Sequence, residues 1–202
     1  MRVHFRRKQG GYTIIELAVV VIIFILLTAV VLASNSRFGG NILVTNLAYE
    51  IGLAIRQAQV YGISVREFNT SFTSGYGVHF DSSKSTSFLL FGDADGDKKY
   101  TAPAQGLPNT ELLEQYNIDP SSVTTRGNTI KNFCVTSTST TLCSSDGNGP
   151  TSLDIAFLRP NPDAIISTNL GSGYESATIT IESKAGQTRL IKVFNTGQIS
   201  IP

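Results

Sequence analysis

A single carboxylate, Glu16, lies inside an apolar run that extends from Tyr12 to about Ser34. An acid inside a membrane-crossing segment costs on the order of 2.5 kcal/mol or more unless it is paired, so it is usually functional. A buried carboxylate is stabilised by a positive partner. The chemistry that Glu16 suggests is therefore a charge pair formed in apolar surroundings.

A second set of acids, Asp93, Asp95 and Asp97, alternates with Ala and Gly in a short polar segment. Alternate carboxylates on a turn can converge on calcium, which takes six to eight oxygen ligands. The helix-loop-helix calcium loop has glycine at its sixth position and an acid at its twelfth, whereas this chain has Lys98 and Ala104 there. We favour a solvated acidic turn and keep a weak calcium site as the alternative.

Cys134 and Cys143 are the two cysteines of the chain, with eight residues between them. In an exported domain, two cysteines at such a short spacing predict a disulfide. That disulfide would stabilise the fold by about 2–3 kcal/mol. Two free thiols are the alternative, and either role is structural. The two histidines are His4 and His79, neither near a cysteine in sequence. We find no metal-ligand spacing, phosphate loop or nucleophile elbow, so we expect neither an enzyme nor a cofactor, although an anchored hydrolase stays conceivable.

The apolar run is long enough to cross a bilayer, which needs roughly 20 residues. The basic residues before it, Arg2, Arg6, Arg7 and Lys8, favour a cytoplasmic N-terminus. Two simpler interpretations are a secretory signal peptide cut near Ser34 and an ordinary membrane anchor. The run exceeds the usual signal-peptide core of about 7–15 residues. The anchor leaves Glu16 unexplained.

Beyond the run, apolar residues recur at spacings of three and four, which predicts one buried stripe on an amphipathic helix. These residues are Leu43, Leu47, Ile51, Ala54, Ile55, Ala58 and Tyr61. From Ser64 onward, short β-rich runs alternate with turn residues. The predicted strands are Val65–Asn69, Tyr76–Phe80, Ser87–Phe91, Thr129–Val135, Ser152–Leu158, Ala164–Ser167, Ala177–Glu182, Thr188–Phe194 and Gln198–Ile201.

The predicted fold class is α+β, with a long N-terminal helix packed on an antiparallel β-sheet domain. An antiparallel meander on the helix stripe is the arrangement that we expect. The predicted divisions are 1–11 as a leader, 12–34 as a transmembrane helix, 35–63 as its amphipathic continuation, and 64–202 as the β-rich domain. The length of 202 residues suits one anchor and one compact domain.

The segment Gly11-Tyr12-Thr13-Ile14-Ile15-Glu16-Leu17 resembles the processing site of type IV pilins and type II secretion pseudopilins. The resemblance implies that prepilin peptidase cuts between Gly11 and Tyr12 and that Tyr12 is then N-methylated. It implies that Glu16 docks the subunit onto the N-terminus of a neighbour. It also implies a pilin-like fold and a structural subunit of a pilus or secretion pseudopilus, with other subunits, an inner-membrane assembly platform and membrane lipid as partners.

Three later segments resemble the GspH/FimT-like minor pseudopilin group. They are LAYEIGLAIRQAQVYGISVR from Leu47, FLRPNPDA from Phe157, and FNTGQI from Phe194. Some members of that group bind DNA through arginines near the closing hairpin, so a DNA-binding minor pilin of a competence pilus is the alternative function. Here Arg189 and Lys192 fall on opposite faces of a strand and form no patch.

The charge distribution gives no general reason for nucleic-acid binding. Four of the sixteen Lys/Arg precede Tyr12, which leaves twelve against fifteen Asp/Glu and a net charge of −3 for the rest. The expected location is the cytoplasmic membrane, crossed once with the β-rich domain outside, and afterwards the fibre. Pilus, secretion pseudopilus and competence machinery are not separated by the sequence.

Overall fold

The computed structural model describes residues 11–64, 66–68, 72–103, 110–118 and 127–202, leaving out the side chains of 33–40 within the helix. Among the described residues there are one helix and eleven strands, so the predicted α+β class is confirmed. Their bounds are α1 (Ile14–Ile63), β1 (Tyr76–Asp81), β2 (Ser87–Gly92), β3 (Leu112–Asn117), β4 (Thr129–Thr136), β5 (Thr141–Cys143), β6 (Ser152–Phe157), β7 (Ala164–Thr168), β8 (Gly171–Ser172), β9 (Ser176–Glu182), β10 (Thr188–Phe194) and β11 (Ile199–Ser200).

The chain divides into two compact units, Met1–Gly39 and Gly40–Pro202. In the first unit, every described side chain from Gly11 to Leu32 is exposed. The segment Ile14–Leu32 is long and apolar enough to cross a membrane, judged by length and composition, and a signal sequence near an N-terminus would satisfy the same criterion. This segment buries none of its apolar side chains within the chain itself.

In the second unit, α1 presents one buried stripe to the core. The buried residues of this stripe are Val44, Leu47, Ala48, Ile51, Ala54, Ile55 and Ala58. Their spacing of three and four residues places them on one side of a helix with 3.6 residues per turn. They belong to one hydrophobic cluster with residues from both β-sheets, so the amphipathic half of α1 supplies part of the core.

Two antiparallel sheets supply the remainder of that core. The first has the strand order β3-β2-β1-β6-β7-β8, and the second has the order β11-β10-β9-β4-β5. The expected meander is present in β9, β10 and β11. It does not extend to the whole domain, because β1 pairs with β6 and β4 pairs with β9 across long stretches of sequence.

Most predicted strands are found within one or two residues of their expected bounds. The exception is Val65–Asn69, whose described part, Arg66–Phe68, contains no strand, while residues 65 and 69 lie outside the described residues. The sequence interpretation missed β3, β5 and β8. The first is mostly polar and has no fully buried residue, and the other two contain only three and two residues.

Gln59 joins α1 to turns from both sheets. Its side chain is 5% exposed, and Nε2 donates to Pro162 O and Gly197 O at 3.0 Å each. Pro162 lies between β6 and β7, and Gly197 lies in the β10–β11 turn at a φ of 80°. A Cβ at Gly197 would lie 2.1 Å from Pro162 O, so this position requires glycine for space as well as for conformation.

Candidate functional site

Thr13 caps the start of α1. The Glu16 backbone N–H donates to Thr13 Oγ1 at 3.3 Å, and the Leu17 N–H donates to Thr13 O at 3.2 Å. Threonine followed three residues later by glutamate is the pattern of a capping box, which satisfies backbone donors at a helix N-terminus. The sequence interpretation did not use this signal, although Thr13-Ile14-Ile15-Glu16 contains it.

The Glu16 carboxylate is exposed and forms no hydrogen bond or ion pair with any residue that the structure describes. It lies in the first turn of the helix, where the helix dipole favours a negative charge. Gly11 and Tyr12 precede the helix and are exposed. The four basic residues at positions 2–8 lie outside the described residues. The motif therefore presents an accessible peptide bond after Gly11 and, near it, an acid that has no ion-pair partner among the described residues.

A disulfide joins Cys134 and Cys143, with their Cα atoms 4.0 Å apart. The two residues stand directly opposite each other in the β4–β5 pair. Thr136 and Thr141, which pair further along the same strands, are hydrogen-bonded through their hydroxyls at 3.1 Å. The disulfide thus covalently fixes β5, a strand of only three residues, at the edge of the second sheet.

The acidic turn, Asp93–Asp97, begins with a buried carboxylate. Asp93 is 3% exposed, and its two oxygens accept the N–H groups of Gly96 at 2.7 Å and Lys98 at 3.1 Å. Burial raises the pKa of the Asp93 carboxyl, and the two N–H donors offset this only in part. Asp93 therefore shapes the turn from inside.

One carboxylate oxygen from each of Asp93, Asp95 and Asp97 lies within 4.8 Å of the others. All three acids accept hydrogen bonds inside the turn, since, besides the two bonds to Asp93, Asp95 Oδ1 accepts the Asp97 N–H and Asp97 Oδ1 accepts the Lys99 N–H. Lys98 has a φ of 65°, the left-handed conformation that a calcium loop usually gives to a glycine. The backbone thus resembles a cation loop locally, while its own N–H groups satisfy the acids.

Glu111 is a second buried acid at this turn that the sequence interpretation missed. Its carboxylate oxygens accept the N–H groups of Ala94 at 3.1 Å and Thr101 at 2.6 Å. Burial raises the pKa of the Glu111 carboxyl, against the effect of these two donors. An isolated glutamate with no motif around it carries no signal in the sequence, so only the folded structure reveals its role.

Behind the acidic turn, three polar residues form a row across β1, β6 and β7. His79 pairs with Asp154, and Asp154 pairs with Ser167. His79 Nδ1 lies 2.7 Å from Asp154 Oδ1, which also accepts the Tyr100 N–H at 3.1 Å. Asp154 lies between the imidazole and the serine, which is not the order of a nucleophile, base and acid relay. The row holds the segment after the acidic turn against the sheet.

The two cations near the closing hairpin lie close to groups of this chain. The Arg189 guanidinium donates to Thr45 Oγ1 at 3.1 Å and to Asn41 Oδ1 at 2.7 Å. Lys192 Nζ lies 4.7 Å from the centroid of the Phe194 ring. Arg189 therefore ties β10 to α1.

Comparison of the chain with protein-family models, with curated proteins and with solved structures found no match. The residues quoted above thus carry the resemblance on their own.

Proposed function

We propose that this protein is a structural subunit of a type IV pilus or a type II secretion pseudopilus, assembled through its N-terminal helix. The observation that carries the proposal is the exposed apolar segment Ile14–Leu32, with one carboxylate in its first turn, Glu16, that forms no ion pair with any described residue. Such a segment requires lipid or the apolar helices of neighbours, and its acid requires a cation there.

The mechanism that we propose is mechanical. The basic leader orients the chain in the cytoplasmic membrane, and prepilin peptidase cuts after Gly11. The new, methylated N-terminus of Tyr12 carries a positive charge. Glu16 of one subunit pairs with that charge on a neighbour, and the helix moves from lipid into the fibre. Each subunit of the fibre has a pilin-like fold.

DNA capture remains the second candidate from the sequence. Arg189 already hydrogen-bonds to Thr45 and Asn41, so the structure gives this alternative no specific support. In sequence, Arg189 and Lys192 fall on opposite faces of a strand and form no patch, and the N-terminal motif around Gly11 and Glu16 favours assembly.

The experiment that tests the proposal is the intact mass and N-terminal sequence of the protein recovered from its native membrane. We expect a chain that begins at methylated Tyr12. A chain that begins at Met1 would instead be an uncut anchor, and one that begins near Ser34 would be a secreted domain. Either result would exclude the proposed processing.

The variant Glu16→Ala tests whether Glu16 docks one subunit onto its neighbour. We expect normal cleavage and membrane insertion, because alanine suits a helix and the Thr13 bond uses the backbone N–H. Incorporation into sheared fibres should fall by roughly tenfold or more, since breaking a buried charge pair costs about 3–5 kcal/mol. The control is Glu175→Ala, which removes an exposed acid from the β-rich domain. Normal incorporation of Glu16→Ala would contradict docking through this residue.

A further inference from the structure

β5 and the residues that follow it cover one edge of β4. We define the strap as residues 141–149, which begin with β5. Cys134 and Cys143 stand opposite each other in the β4–β5 pair. The next residue continues the cover, because the Ser144 N–H donates to Phe133 O at 2.8 Å and the Phe133 N–H donates to Ser144 Oγ at 3.1 Å. The strap therefore closes this edge of the second sheet.

The non-covalent contacts that hold the strap are few. No residue of the strap is fully buried, and Leu142 supplies its contact with the hydrophobic cluster. Other hydrogen bonds stay within the strap, since the Asp146 N–H donates to Cys143 O and the Gly149 N–H donates to Asp146 O, each at 2.9 Å. A segment with little buried apolar surface opens at a low cost in free energy. The disulfide is therefore the main connection between the strap and β4.

The opposite edge of β4 is held in a different way. There, β4 pairs with β9 along its whole length, from Thr129 to Thr136. Its inward side chains Phe133 and Val135 are 1% and 0% exposed and belong to the hydrophobic cluster. Core packing and the pairing with β9 thus fix β4 in the sheet, and neither depends on the strap.

We infer that the Cys134–Cys143 disulfide holds a redox-sensitive strap in place. When the disulfide is reduced, the strap leaves β4, and β4 stays paired with β9. The uncovered edge then presents unpaired backbone N–H and C=O groups, to which an extended chain can add as a further strand. This device lies within the β-rich domain and operates whether or not the chain enters a fibre.

The reductant that this device requires is a dithiol. One thiolate of the dithiol attacks the Sγ of one cysteine, the S–S bond breaks, and the other cysteine leaves as a thiolate. The second thiol of the dithiol then displaces the first cysteine, so the dithiol becomes a disulfide and the two cysteines gain two electrons and two protons. Cys134 and Cys143 are both partly exposed, which gives a thiolate access to the bond.

The test is hydrogen exchange of the full chain in detergent, measured by mass spectrometry before and after treatment with dithiothreitol. Alkylation of the new thiols shows that the bond has opened. We expect the strap amides, among them those of Ser144 and Asp146, to exchange roughly tenfold or more faster in the reduced chain. The amides of β10, from Thr188 to Phe194, are the internal control and should change by less than about twofold.

Two variants separate the disulfide from the contacts beside it. The double variant Cys134→Ser with Cys143→Ser should show fast strap exchange that dithiothreitol no longer changes. Thr141→Ala is the matched control, because it removes the 3.1 Å hydroxyl contact with Thr136 and keeps the disulfide. Its strap should exchange close to the wild-type rate when oxidised and at the fast rate when reduced.

Three outcomes would overturn the inference. A bond that dithiothreitol does not reduce in the folded chain would make the disulfide a permanent structural link. A reduced chain whose strap exchanges as slowly as before would show that its hydrogen bonds and Leu142 are enough to hold it. A reduced chain in which the β10 amides accelerate by the same factor as the strap would show that the disulfide stabilises the whole domain rather than one edge.

Discussion

At the scale of single residues, Gln59 stabilises the domain through hydrogen bonds from its buried side-chain amide. Its amide is buried and gives both Nε2 hydrogens to carbonyls of different turns, those of Pro162 and Gly197. A buried carbonyl that loses its donor costs about 1–3 kcal/mol. The residue therefore acts as a joint between α1 and the two sheets.

The first prediction follows from that joint. Gln59→Leu should lower the free energy of unfolding by about 2–4 kcal/mol, because leucine fills similar space but leaves two carbonyls unsatisfied. The control, Gln115→Leu, changes an exposed amide on β3 and should stay within about 0.5 kcal/mol. Thermal denaturation of the detergent-solubilised chain, followed by circular dichroism, measures both. Equal stability of the two variants would contradict the role of Gln59.

Tyr116 gives a prediction about pH. Its ring stacks on Phe88 with centroids 4.7 Å apart, and its hydroxyl donates to Glu114 Oε2 at 2.9 Å. Burial first, and then the Glu114 carboxylate, raise the pKa of Tyr116 to about 12 from an ordinary value of 10.0. The folded state therefore holds this proton more tightly than the unfolded state.

The stability that Tyr116 contributes should be complete below the ordinary pKa and should be lost as pH rises through its folded pKa. In the folded protein its tyrosinate absorbance should appear only near pH 12. The comparison is with Tyr116→Phe, which should lack this late step and show a flatter alkaline loss of stability. A wild-type titration that matches the variant at high pH would contradict the assignment.

At the scale of elements, the end of α1 packs directly on β6. A Cβ added at Gly62 would lie 2.4 Å from Phe157 O and 2.8 Å from Phe157 Cβ. Alanine is ordinarily favoured over glycine within a helix by about 1 kcal/mol. Backbone cannot move aside cheaply, so overpacking should outweigh that preference here.

Gly62→Ala should therefore destabilise the domain by about 1–3 kcal/mol, with the sign set by the contact rather than by helix propensity. Gly147→Ala is the matched control, because an added Cβ there meets nothing within 4 Å. Denaturation midpoints of the two variants give the comparison. A Gly62→Ala variant more stable than wild type would show that α1 can shift relative to Phe157.

The elements that the sequence predicted well are those with a strong local pattern. Thr188–Phe194 was predicted at its observed bounds, and Ala177–Glu182 one residue short. Leu112–Asn117 was missed because it is an edge strand, held by its pairing with β2 rather than by alternating burial. Two sheets were not predicted, since the β1–β6 and β4–β9 pairs join residues far apart in sequence.

The candidate sites divide in the same way. Glu16 can be recognised in the sequence because it interrupts an apolar run, and the cysteine pair because the chain has two cysteines at a short spacing. Glu111 and Asp154 are not, because folding brings their partners close: backbone N–H groups for both, and the His79 imidazole for Asp154.

At the scale of the whole molecule, all of the buried hydrophobic residues of the described structure lie between Val44 and Val193. They belong to the unit Gly40–Pro202. We therefore expect a chain shortened to residues 41–202 to fold in water without detergent and to remain monomeric at low concentration, because it lacks Ile14–Leu32. The full chain should need detergent or lipid.

Gel filtration and near-ultraviolet circular dichroism of the shortened chain, against the full chain in detergent, test this. Matching aromatic spectra are the expected result. An aggregated or unfolded shortened chain would show that the first unit contributes to the stability of the second.

The Gln59 hydrogen bonds have a consequence for how the domain folds during synthesis of the chain. Their acceptors lie 103 and 138 residues downstream of the amide. During synthesis, α1 emerges long before either turn exists, and its buried stripe has no complete partner until β10 and β11 have followed. A chain released early would thus expose both the stripe and an unsatisfied amide to chaperones and proteases. Completion of the last hairpin is the step that marks the domain as finished.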